Sequence, residues 1–253
     1  MSWISGVGLH TGALVRCRLH PEPVGHGVVF RTSAGAVPAR WQYVADTARC
    51  VRLAQGAAQV ATVEHLLAAV AVLGAWDLTV ELEGPELPIL DGSAQEWAQA
   101  LSTAGAPGSR RYLVLKQPVW CNQGRSWVIA VPAQEFSVAA TIQFEHPAVG
   151  TQVWAGSDLK VVLDARTFGF TWEYEKLRQQ GLANGASLSN VLVFDDVSPL
   201  TPPRGADEPV RHKALDLVGD LALLGGLPRA NLTAICSSHR LDWQLVQAIA
   251  RVT

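Results

Sequence analysis

The chain has 253 residues, 49% of them hydrophobic, and a formal net charge of -2 at pH 7, enough to bury one large core or two smaller ones. The near balance of charge leaves no basic footprint and argues against a nucleic-acid partner. Cys17, Cys50, Cys121 and Cys236 are scattered, with no Cys-x-x-Cys pair, which reads as free thiols in a reducing compartment. No basic stretch followed by an apolar run opens the chain, and the apolar stretch 66–76 is short of the about 20 residues a membrane helix needs. The expectation is a cytoplasmic protein without a transmembrane segment.

In chain order, Gly6-Val7-Gly8-Leu9-His10-Thr11-Gly12 is a glycine-rich turn leading into an alternating strand over 13–19. It lacks the flanking elements and fingerprint of a phosphate loop, so His10 reads as a turn residue. Residues 28–30 and irregular segments over 37–53 are further strand candidates. Residues 61–74 form the first clear helix, capped by Thr62, with His65 at its third position and Gly74 as its stop. Glu64 and His65 are polar residues opening an otherwise apolar helix. Glu64 is either an acid favoured by the helix dipole or a general base beside a ligand, and the helix alone does not decide. A strand over 78–82, an extended segment over 85–94 closing in an Asp-Gly turn, and a short helix over 96–102 complete this part. The small, turn-rich stretch 103–109 reads as a linker and divides the chain into domains 1–107 and 108–253.

Strands follow over 111–117, 126–131 and 138–144. Residues 164–170 lead to a helix over 172–180, a flexible Gly181–Gly185 and a strand over 190–194. This strand-helix-strand insert, near 168–194, has no counterpart in the first half and is either a decoration or the wall of a substrate channel. Val210–Asp220 then opens a helix whose apolar pattern runs to Leu224, stopped by Gly225-Gly226 and Pro228. His212, Asp216 and Asp220 lie along one of its faces. An imidazole and a carboxylate at i and i+4 suit two of the three protein ligands of a catalytic zinc. Many helices with this spacing bind nothing, so a third ligand and a base must come from elsewhere.

A last strand falls at 231–236. Each half thus has strands, a helix opened by a histidine and ending Leu-Gly, then another strand, 77–80 in one and 231–234 in the other, a weak internal repeat. The expected architecture is α+β: two similar domains, each an antiparallel sheet with helices on one face, packed so that the two histidine helices meet. His65 then joins His212 and Asp216 in a zinc site. Glu64 stands beside it, ready to take a proton from water whose pKa a zinc lowers to about 7.

With these residues assembled, the sequence resembles the zinc-dependent UDP-3-O-acyl-N-acetylglucosamine deacetylases of lipid A synthesis. The resemblance covers nearly the whole chain. It rests on the glycine turn 6–12, Thr62-Val63-Glu64-His65-Leu66, Pro88-Ile89-Leu90-Asp91-Gly92-Ser93-Ala94, Ala165-Arg166-Thr167-Phe168-Gly169-Phe170, Arg211-His212-Lys213 with Leu215-Asp216, and Ser238-His239, in order. It implies two similar two-layer sandwich domains with the active site between them, and hydrolysis of the N-acetyl group of a UDP-linked acylated amino sugar. The alternative is a related zinc deacetylase acting on another acylated amino sugar, or a non-catalytic sugar-nucleotide or lipid-binding homologue. Carried over by position, His65, His212 and Asp216 match the zinc ligands and Glu64 the general base. His239 matches the acid for the leaving amine and Asp220 the aspartate that orients it. Thr167 matches the donor to the oxyanion, and Phe168, Gly169 and Lys213 match positions that contact substrate. Zinc is the implied metal, although Fe2+ can occupy similar ligands, and the chain is expected to be a monomer. The insert matches an element that frames an apolar passage for the fatty acyl chain. Two departures stand out: Ser238 where glycine is common, expected to restrict its loop, and Asn184-Gly185-Ala186-Ser187 where a double glycine is usual, expected to reshape the passage.

Overall fold

The computed structural model describes residues 2–253. Two five-stranded sheets dominate it. The first contains β1 (Ile4–Val7), β2 (Leu14–Pro21), β3 (Val28–Thr32), β4 (Gly35–Pro38) and β5 (Leu78–Glu83). The second contains β6 (Val119–Gln123), β7 (Ser126–Pro132), β8 (Ser137–Gln143), β9 (Thr151–Gly156) and β10 (Ala230–Ile235). Their spatial orders are β1-β2-β5-β3-β4 and β6-β7-β10-β8-β9. In both, the strand that follows the histidine helix slots between the second and third strands. Its pairing with the third is the sheet's one parallel ladder, β3 with β5 and β8 with β10. The weak sequence repeat is therefore a repeat of topology.

Alternation sets the register. Cys17 faces Leu82, Leu19 faces Val80, and Val80 faces Phe30, all buried on one side of the first sheet. In the second, Val128 and Ala140 flank Ala234, and Ala130 and Val138 flank Leu232. These inner faces close on α1 (Glu64–Leu73), α2 (Gln95–Thr103), α4 (Glu208–Ala222) and α5 (His239–Ala250), and one continuous apolar core includes both. Every residue of α1 except Leu73 is buried, as expected of a helix apolar on all sides. It packs against α4, where Gly219 makes the contact possible: a Cβ there would stand 2.2 Å from the carbonyl oxygen of Glu64.

Two expectations are corrected and two strands are added. The first helix starts at Glu64, with Val63 as its N-cap, and Thr62 does not cap it. Thr62 instead has φ +57° and donates its hydroxyl to Glu86, so His65 is the second helical residue. The strand expected over 111–117 shrinks to Tyr112–Leu113, paired in parallel with Leu227–Pro228; that partner is itself two residues long, and Pro228 has no N–H to give the ladder. Strands β6 and β9, absent from the sequence reading, are edges of the second sheet, where one side of the ladder faces solvent and alternation is weak.

The insert forms as a parallel pair, Phe168–Phe170 with Leu192–Phe194, joined through α3 (Thr171–Gln179). Its loop lies on the glycine turn of the first half, the Gly185 N–H donating to Leu9 O at 3.0 Å and the Asn184 N–H to His10 O at 3.2 Å. Among the described residues no helix is long and apolar enough to cross a membrane, and the four cysteines are unpaired.

Candidate active site

Helix α1 presents His65 at its opening turn and α4 presents His212 and Asp216 one turn apart. Where the helices meet, one potential ligand atom from each lies within 4.8 Å of the others. The imidazole rings of His65 and His212 have centroids 5.1 Å apart at an interplanar angle of 67°. His212 donates from Nδ1 to the carbonyl of Ala165 at 3.2 Å, which fixes its tautomer and turns Nε2 toward Asp216 Oδ1, 3.3 Å away. Tetrahedral ligands about 2.0–2.1 Å from a zinc ion lie about 3.3 Å from each other. Asp216 Oδ1 and His65 Nδ1 are buried and have no hydrogen-bond partner, a costly state for polar atoms unless something fills it. This donor set, two neutral imidazoles and a carboxylate, fits a zinc or iron(II) ion.

Electrostatics favour the ligand forms. Burial, reinforced by His212, drives the His65 pKa down to about 3, and burial lowers that of His212. Burial alone would raise Asp216, but His212, Lys213 and His239 outweigh it and hold the carboxylate ionised far below its ordinary range. Lys213 also donates from Nζ to Asp216 Oδ2 at 2.7 Å.

Two proton-bearing groups flank the cluster. Glu64 is buried, accepts the Val51 N–H at Oε2 (3.1 Å), and has its pKa raised to about 7, first by burial and then by Asp220 and Asp216. His239 donates from Nδ1 to Asp220 Oδ2 at 2.8 Å, while its Nε2 lies 3.9 Å from both Glu64 Oε1 and Asp216 Oδ2. Burial works against its cationic form, yet Asp220, Asp216 and Glu64 together raise its pKa to about 10. His239 opens α5, and Ser238, in extended backbone, caps that helix by accepting the Leu241 N–H at 3.4 Å. At Ser238, expected to restrict its loop, the side chain serves as this cap.

All of this opens on a cavity of about 600 Å³. Glu64, His65, Thr167, His212, Lys213, Asp216 and His239 line its polar end, while Phe168, Phe170, Leu177, Leu188 and Val191 line an apolar arm along the insert. Gly169 lies on the same wall, and a Cβ there would meet nothing. Asp220 stands behind His239. Arg166 fastens the strip bearing Thr167 to the start of α4 through a buried ion pair with Glu208 (2.8 Å). Every site residue expected from sequence is therefore in or directly behind this cavity. Sequence reasoning missed the Ala165 carbonyl, the Val51 amide and Gly219. The first two are backbone groups without a side-chain signature. Gly219 has a signal: a glycine amid an apolar helix costs about 1 kcal/mol against alanine, a cost that marks a close approach.

The family model for UDP-3-O-acyl N-acetylglycosamine deacetylase matches residues 2–251. Relatives carrying the name UDP-3-O-acyl-N-acetylglucosamine deacetylase include one from Myxococcus xanthus (strain DK1622), 42% identical over 97% of this chain and 83% of the relative. Another, from Thermosynechococcus vestitus, is 43% identical over 98% of this chain and 90% of the relative. A third, from Legionella pneumophila (strain Corby), is 38% identical over 97% and 86%.

Proposed function

The chain belongs to the UDP-3-O-acyl-N-acetylglucosamine deacetylase family, and on that premise we infer how its residues perform the reaction. Water hydrolyses the N-acetyl amide of UDP-3-O-acyl-N-acetylglucosamine to UDP-3-O-acyl-glucosamine and acetate, a step of lipid A biosynthesis. The observation that carries the assignment of roles is the approach of Glu64 and His239, 3.9 Å apart, beside the three-residue cluster.

His65, His212 and Asp216 would hold zinc. When bound, the ion polarises the amide carbonyl and lowers the pKa of water. Glu64 accepts the proton of the attacking water on a carboxylate oxygen; its pKa of about 7 suits a base that must both take and release a proton near neutrality. Thr167, on the cavity wall, donates its hydroxyl to the oxygen on which negative charge develops. As the C–N bond breaks, His239 gives the proton on Nε2 to the departing amine, and Asp220 on Nδ1 keeps that nitrogen facing the cavity. Lys213 meets the sugar nucleotide at the polar end, and Phe168 and Gly169 begin the apolar wall along which the acyl chain lies.

The reading extends to organisation: domains 1–107 and 108–253 supply opposite sides of the cavity, and the protein works as a cytoplasmic monomer. The test is metal analysis joined to an acetate-release assay on the UDP-linked substrate. Glu64→Gln keeps stoichiometric zinc and loses roughly 10²–10⁴ in rate, the range for general-base catalysis. Undiminished activity in that variant removes Glu64 as the base.

A further inference from the structure

The glycine turn 6–12 and the segment leading to Pro88 supply no group to the reaction. One carboxylate joins them. Glu86 is fully buried. It accepts the His10 N–H at both oxygens (3.0 and 3.2 Å), the Thr11 N–H at 3.0 Å, the Thr11 hydroxyl at 2.9 Å and the Thr62 hydroxyl at 2.7 Å. None of these partners is a cation, so charge-assisted hydrogen bonds from two amides and two hydroxyls carry the compensation. Backbone bonds fix the same junction: Leu87 N–H to Ala61 O at 3.1 Å, Ala61 N–H to Pro85 O at 3.2 Å, and Ile89 N–H to Val7 O at 2.9 Å. Gly8 is required here, since a Cβ would lie 2.5 Å from both Glu86 Oε2 and Thr11 Oγ1.

Thr62 is the unusual member. Its φ of +57° places a β-branched residue in the left-handed region, a strained conformation that persists only where surroundings impose it. Two residues later comes Glu64, and His65 follows. Glycine would adopt this turn without strain but has no hydroxyl to give Glu86.

We propose that Glu86 is a positioning residue of the active site: through the Thr62 hydroxyl it holds the left-handed turn that launches α1 with Glu64 and His65 aimed at α4. The same carboxylate holds the glycine turn that carries His10 along the cavity wall. This rests on the roles assigned above to Glu64 and His65. Without the carboxylate, Thr62 relaxes toward an extended backbone and the first turn of α1 shifts. Misplacements on the order of 1 Å cost about a hundredfold in rate.

The test compares Glu86→Gln, Thr62→Gly and the double variant. Glutamine offers an N–H where Glu86 accepts one, so at least one bond is lost. In the folded variant the expected result is kcat lower by about tenfold or more with KM within about twofold, together with faster loss of zinc to a chelator. Thr62→Gly, which takes the turn without help, recovers kcat at least about threefold in the Glu86→Gln background. A Glu86→Gln protein that melts earlier but keeps wild-type kcat and zinc retention overturns the proposal, as do purely additive losses in the double variant. If Glu86→Gln does not fold, Thr62→Ala replaces it, with the same selective loss of kcat expected and an unchanged kcat decisive against. A wild-type protein that releases no acetate sinks the functional reading instead. Zinc retention then decides alone: faster loss from Glu86→Gln upholds the positioning role and equal retention overturns it.

Discussion

His239 donates a proton in the proposed reaction, so activity requires its cationic form and falls as pH rises through its pKa. That value is raised to about 10 although burial opposes it, because Asp220, Asp216 and Glu64 surround the ring. Asp220 alone bonds to it. Asp220→Asn removes that anion, and the basic limb of kcat/KM moves down from about 10 toward the ordinary histidine value of about 6.5. A pH profile with an unmoved basic limb would remove Asp220 from this role. At this scale the candidate ligands and base were visible in the sequence as residue types and spacing, His212 and Asp216 at i and i+4 and Glu64-His65 opening an apolar helix, and the resemblance supplied their roles. Their supports were not visible. The Ala165 carbonyl lies 47 residues from His212 in sequence and the Val51 amide 13 from Glu64, and no residue type marks a backbone group as a partner.

At the level of elements, the site depends on how closely α1 and α4 approach. Gly219 sits between Asp216 and Asp220, and a Cβ there would collide with Glu64 O at 2.2 Å. Alanine gains about 1 kcal/mol of helix propensity over glycine, whereas overpacking a fixed contact costs about 1–3 kcal/mol. The collision is with backbone and cannot be relieved by a rotamer, so overpacking wins. Gly219→Ala is expected to lose net stability in urea titrations and to bind zinc more weakly, because the helices part between the His65 side and the His212 side. A variant as stable as wild type with unchanged zinc affinity contradicts the close contact. Helix α5 allows a gentler check. Ser238→Ala removes the cap and is expected to cost about 0.5–1 kcal/mol, the low end for a 3.4 Å bond, while Ser238→Gly costs only a few tenths. The order reverses if the hydroxyl restricts the loop instead of capping the helix. Helix interiors were readable from periodicity, and the start of α1 was not: Thr62 has the composition of a cap, but Glu86, 24 residues away, claims its hydroxyl.

The two halves repeat one topology around one core. The central strands of that repeat were visible in sequence as alternating runs, whereas the edges β6 and β9 were not, since exposed Trp120 and Val153 break the polar-outside pattern. A metal held at the site would bind the halves chemically, beside the apolar core they share. His65 comes from the first half and His212 and Asp216 from the second, so a bound metal cross-links segments about 150 residues apart. An ion that binds the folded chain and not the unfolded one stabilises it by RT ln(1 + [L]/Kd), about 4 kcal/mol at a thousandfold excess over Kd. Chelation of the zinc-loaded protein is therefore expected to lower its Tm by about 8 °C or more, at the roughly 2–4 °C per kcal/mol of a chain this long. His65→Ala removes one arm of the cross-link, and its Tm should scarcely respond to chelator. A chelator-induced drop in His65→Ala as large as in wild type would place the stabilising ion somewhere other than between these helices.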